Sequence, residues 1–157
     1  MTGTARHVRE PRFTSYEGVE GRLVLDSHAL LWWVSGERSR FSTDAWDRLS
    51  RAEELGGLGM IEPSLYELAL KGARSGTARL PLTVGLLDRL YQSPGIAPIA
   101  LAPEDWVVAA RLDWTHRDPF DRVLVAVAMR RGYTVVTADR EMLAFAERSS
   151  DVRAIGL

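Results

Sequence analysis

Two short apolar runs constrain this chain more than anything else in it. Residues 22–26, RLVLD, end on Asp26 and pass at once into SHALLWWV; residues 133–138, YTVVTA, are followed by Asp139 and REMLAFAER. A continuous apolar run of this length is a strand covered on both faces, and a strand that feeds directly into a helix belongs to a βαβ unit. The rest of the chain repeats the alternation. Ser42 or Thr43 caps a helix over DAWDRLSRAEEL, GGLGMI reads as a glycine-weakened strand, and PSLYELALKGARSG reads as a helix capped by Ser64. PLTVGLLDRLYQ forms a further helix opened by Pro81, and IAPIAL an edge strand, because Pro98 has no N–H to give a ladder. APEDWVVAARLDW is helical, PFDRVLVAVAMRRG is a helix apolar enough to be buried, and VRAIG closes the chain as a strand. Strands and helices alternating at this spacing predict an α/β fold, a three-layer α/β/α sandwich around a central, mostly parallel sheet.

The 157 residues fit one domain. Residues 1–21, rich in Gly, Thr, Ser, Arg and Glu, read as a flexible N-terminal extension, and residues 22–157 as the domain proper. The chain has no cysteine, which excludes disulfides and thiolate metal sites and suits a reducing compartment. The net charge of −1 supplies no global field to draw in nucleic acid, so any RNA contact must be local. No apolar run reaches bilayer length and no secretory signal opens the chain, so a cytoplasmic location without membrane contact is expected.

In an open parallel sheet, ligands gather outside the carboxyl ends of the strands. Asp26 and Asp139 fall at two such ends, Glu67 in the first turn of its helix, and Asp118 and Asp121 at the start of the buried helix. Each acid taken singly is a good helix cap: SLYE fits a capping box and DPFD a cap–proline–acid start. Taken together they exceed what capping needs, since Ser or Thr serves as well. Carboxylates gathered in one cleft raise one another's pKa unless a cation neutralises them, and an all-oxygen cluster suits Mg²⁺ or Mn²⁺. Around them, His116 reads as a loop residue. Arg117 and Arg122 either hold phosphates or pair with Asp118, and Lys71 and Arg74 either form an RNA-facing rim or are solvated surface charges. Trp32 and Trp33 read as core or interface residues, with base stacking as the lesser alternative.

LVLDSHALLWWVSG, SLYELALKG, HRDPFDRVLVAVAMRRG and TVVTADREML resemble, in order and spacing, the signature segments of PIN-domain proteins, most of all the VapC-type toxins of bacterial toxin–antitoxin pairs. The resemblance covers residues 22–157. It implies a metal-dependent endoribonuclease in which Asp26, Glu67, Asp121 and Asp139 hold Mg²⁺ or Mn²⁺ and a metal-activated water cleaves RNA. It places Asp118, Thr137 and Ser27 in support of those acids and makes Arg117, Arg122 and Lys71 candidate RNA contacts. It also implies a tRNA or ribosomal RNA substrate, a VapB-type antitoxin that inserts an arginine among the acids, and a homodimer. Two departures stand out: Tyr66 where Trp is frequent, and Glu62–Pro63 where small residues are usual. A non-catalytic module docking a basic peptide in the acidic cleft is the alternative. An aspartyl phosphatase is disfavoured, because His28 stands where its second Asp belongs.

Overall fold

The computed structural model describes residues 21–70, the helical backbone of 71–74, and residues 90 and 92–157. The N-terminal extension and the expected helix at PLTVGLLDRLYQ therefore lie almost wholly outside the described residues. Five strands form one sheet: β1 (Leu23–Leu25), β2 (Leu58–Ile61), β3 (Ile96–Ile99), β4 (Thr134–Thr137) and β5 (Arg153–Gly156). Their order is β3-β2-β1-β4-β5 and every pairing is parallel. The helices are α1 (Ser27–Val34), α2 (Thr43–Glu54), α3 (Glu62–Arg74), α4 (Pro103–Arg111), α5 (Pro119–Arg131) and α6 (Arg140–Arg148), with a single 3₁₀ turn at Arg38–Arg40. None of the described helices is long and apolar enough to cross a membrane.

Strand periodicity divides the core in two. Leu23 and Leu25 of β1, Leu58 and Met60 of β2, Ile96 of β3 and Val136 of β4 point to one face, against Leu30 and Trp33 of α1, Leu49 of α2 and Leu68 of α3. Val24, Ile61, Ile99 and Val135 point to the other, against Ala109 of α4, Val123–Ala128 of α5, and Met142 and Phe145 of α6. This is the expected three-layer sandwich, since successive strand residues face opposite sides. Gly59 has a packing reason: a Cβ there would lie 2.5 Å from Ile99 Cδ1. β3 is an edge, as Pro98 required.

Helix starts follow local chemistry. Ser42 accepts from Ala45 N at 3.2 Å to cap α2, and Asp118 accepts from Phe120 N at 2.8 Å to cap α5, with Pro119 first in the helix. α5 ends on Gly132 in the left-handed region, φ 71°. One expectation fails. α3 begins at Glu62, directly after β2, so Ser64 is a buried helical residue rather than the cap, and Glu67 stands in the second turn. Pro63 fits the helix start because its missing N–H has no partner there in any case, and Glu62 faces the positive end of the helix dipole. Beyond the site, fully buried Asp105 takes Arg130 and Arg131 of α5, clamping α4 to α5.

Candidate active site

β1 and β4 are neighbours in register, Leu25 beside Val136, so Asp26 and Asp139 emerge on the same edge of the sheet. α5 brings Asp121 to that edge and α3 brings Glu67. The four acids line one cleft of about 470 Å³, together with Ser27, His28, Trp32, His116, Asp118 and Ala138. A larger cleft of about 590 Å³ lies elsewhere, between α4 and the end of α6, and is lined by Val107, Arg111, Met129, Phe145 and Arg148 among others. Chemistry, not size, identifies the site: the converging carboxylates are in the smaller cleft.

Asp26 is only 5% exposed. Its Oδ1 accepts from Ala29 N at 2.7 Å, which caps α1, and its Oδ2 accepts from the Thr137 hydroxyl. Burial pushes its pKa above the usual 3.8, and these hydrogen bonds oppose the push. The Thr137 oxygen in turn accepts from Asp139 N at 2.9 Å, so one buried hydroxyl ties the ends of β1 and β4 together. Asp139 caps α6 through Oδ1, accepting from Glu141 N at 2.7 Å and Met142 N at 2.9 Å. Capping and site-lining are thus not rival roles here: one oxygen holds the helix and the other faces the cleft.

Asp121 is pushed up as well. Burial first, and then the charge of Asp118, push its pKa up to about 7; Glu67 and Asp26 add to the rise and His116 opposes it.

His116 belongs to the site, contrary to the reading of it as a plain loop residue. Its Nε2 lies 3.5 Å from Asp121 Oδ2, and 3.8 Å from both Asp139 Oδ2 and Glu141 Oε2. The cluster is therefore not purely carboxylate, and Glu141 joins its rim. His116, Asp121 and Asp139 offer ligand atoms within 4.8 Å of one another, close enough to share a cation. The imidazole Nδ1, however, accepts from Asp118 N at 3.3 Å. That leaves the ring proton of the neutral form on Nε2, where it donates toward the acids. The carboxylates are the better cation ligands, and His116 a close neighbour of Asp121.

Arg122 neither pairs with Asp118 nor faces the cleft as a phosphate contact. Its guanidinium donates to the carbonyls of Ala109 and Leu112, both at 2.9 Å, of His116 at 3.3 Å, and of Trp114. It fastens the 109–116 segment to α5 and so sets His116 in place. Nothing in the sequence marks this, because the acceptors are main-chain atoms. Arg117 is exposed beside Asp118, and Lys71 and Arg74 extend along α3 beyond Glu67. The adjacent tryptophans divide their work. Trp33 is 9% exposed and packs on Phe41 and Trp46, with ring centroids 5.8 and 4.6 Å away, whereas Trp32 lines the cleft.

Comparison with known proteins agrees with this fold. The family model of the PIN domain matches residues 23–148. Ribonuclease VapC22 of Mycobacterium tuberculosis is 30% identical over 122 residues, which span 76% of this chain and 88% of that protein. Two solved structures share the fold. The crystal structure of VapBC2 from Rickettsia felis, bound to a DNA fragment from its promoter, superposes with a TM-score of 0.62 at 12% identity, over 85% of this chain and 97% of that one. PAE2754 from Pyrobaculum aerophilum gives 0.55 at 22% identity, over 85% and 88%. By the extent of the family match and by its likeness to a VapC ribonuclease, the chain belongs to the PIN-domain family and resembles its VapC-type members.

Proposed function

We propose that the protein is a divalent-metal-dependent endoribonuclease, the toxin of a toxin–antitoxin pair. One observation carries this reading: Asp26, Glu67, Asp121 and Asp139, from four separate elements, line a single cleft in a PIN-family chain. Asp121 supports it further, because a carboxylate whose pKa has been driven to about 7 is a group that a cation would relieve. A donor set dominated by carboxylate oxygens fits Mg²⁺ or Mn²⁺. The four acids would hold it, and when bound it would lower the pKa of water and neutralise charge on a phosphodiester.

The chain's own groups prepare that chemistry. The amide of Ala29 and the hydroxyl of Thr137 fix both oxygens of Asp26, so it pays little reorganisation on binding. Asp139 keeps Oδ2 turned to the cleft while Oδ1 holds α6. The Nε2–H of His116 faces Asp121 and Asp139 and steadies their charge. Asp118, Thr137 and Ser27 support the acids, and Arg117 and Lys71 contact RNA outside the cleft. The reading extends to a tRNA or ribosomal RNA loop as substrate, to a VapB-type antitoxin that covers the acidic cleft with a basic residue, to a homodimer and to action in the cytoplasm.

The test is cleavage of total cellular RNA with the ends mapped, for wild type and Asp121→Asn, each with Mg²⁺, Mn²⁺ and EDTA. Discrete cuts that require both a metal and Asp121 support the reading. A folded, antitoxin-free protein that cuts nothing, yet binds a basic peptide equally well after Asp121→Asn, points instead to a non-catalytic docking module.

A further inference from the structure

The proposed reaction leaves a physical problem. The cleft is lined by acids, the net charge of the chain is −1, and RNA is a polyanion. The lining of the cleft is not the basic surface on which phosphate contacts dominate affinity. The cleft wall offers another contact. His28 and Trp32 stand one turn apart on α1, both line the cleft, and their rings lie 5.6 Å apart, tilted by 40°. His28 is exposed and Trp32 is half-buried, unlike its neighbour Trp33, which is locked in the core. Arg40, exposed and paired with Glu37 at 3.2 Å, holds its guanidinium carbon 5.1 Å from the centre of the Trp32 ring. The wall thus presents two neighbouring, mutually tilted rings with a cation over one of them, within the same cleft as the acids.

Resting on the ribonuclease reading, we propose that His28 and Trp32, flanked by Arg40, form a nucleobase-stacking subsite that receives a base next to the scissile phosphate. Every base has a π-face, so a platform of this kind accepts single strands without a base-edge code. A base held in a duplex cannot reach it. The acids then need only receive the phosphate that the stacked base delivers.

The experiment measures binding to the full-length chain in EDTA, where cleavage is prevented. Three ten-residue probes are compared: oligoadenylate, oligouridylate, and an abasic ribose-phosphate strand of equal length. Wild type is expected to bind oligoadenylate about tenfold more tightly than the abasic strand, with oligouridylate between them. Trp32→Leu, which keeps an apolar side chain against the core, should abolish the difference, and Trp32→Phe should retain most of it. His28→Ala should reduce it in a protein that still melts cooperatively. Equal binding of the three probes by wild type, or a full preference surviving in a folded Trp32→Leu, overturns the subsite and leaves the ribonuclease reading intact. Failure to bind any probe, together with failure to cut RNA in metal, overturns both.

Discussion

The metal-free site should work against the fold, and Asp121 is where this can be measured. Its pKa stands at about 7 in the folded protein against an ordinary 3.8. An acid with a raised folded pKa binds more protons folded than unfolded between those values. Its stabilising contribution is therefore complete below about 4, falls as pH rises, and is fully lost above about 7. The gap of about three pH units, at ~1.36 kcal/mol each, sets an upper figure of about 4 kcal/mol. The side chain is 22% exposed, so about 3 kcal/mol is a fairer magnitude after solvent screening. Asn keeps the shape and removes the charge. In EDTA at pH 8, Asp121→Asn should melt above wild type by about 8 °C, at ~2–4 °C per kcal/mol for a chain of this size. The two should converge towards pH 4. Adding Mn²⁺ or Mg²⁺ at pH 8 should raise the wild type and leave the variant nearly unmoved. Differential scanning fluorimetry across pH 4–8.5 gives all three results. Asp26, also raised by burial, lies close enough to feel the charge of Asp121, so the difference between the two curves reports Asp121 together with its repulsion of Asp26. A variant no more stable than wild type at pH 8 would refute the argument that uncompensated charge is stored in this cleft.

Other predictions follow from the same geometry. Arg122→Gln should cost about 3–5 kcal/mol in chemical denaturation, because several carbonyls lose a charged donor at once. Arg122→Lys should recover stability only in part, since an ammonium cannot span the same fork. Thr137→Val should cost about 1–3 kcal/mol and weaken Mn²⁺ binding in calorimetry, since it strips a donor from buried Asp26 and an acceptor from Asp139 N. Asp105 titrates in the opposite sense to Asp121. Burial pushes it up, but Ala102 N, Arg130 and Arg131 outweigh burial and hold it below 3.8. Its contribution is present above about pH 4 and is lost as pH falls further, so Asp105→Asn should flatten the acid limb of the stability curve.

What could be read in the sequence was whatever local pattern and topology determine. The runs at 23–25 and 134–137 had to be buried strands, which puts Asp26 and Asp139 at carboxyl ends where ligands collect; that the two strands are neighbours is seen only in the pairing of β1 with β4. Pro98 marked an edge for a reason that holds in any sheet. The failures share a different cause. The start of α3 was misread because Ser64 has the chemistry of a cap, whereas β2 runs straight into the helix and buries that serine. The place of His116 is hidden in the sequence because it depends on Arg122, on the four carbonyls that Arg122 holds and on the amide of Asp118, none of which leaves a periodic signal. The question of caps against ligands was itself badly framed by sequence. A carboxylate has two oxygens, and Asp139 gives one to α6 while the other faces the cleft. Asp26 likewise caps α1 while its second oxygen lies against Thr137. Helix starts at the carboxyl edge of a parallel sheet bring fixed carboxylates together there, so the fold that needs the caps also builds the site.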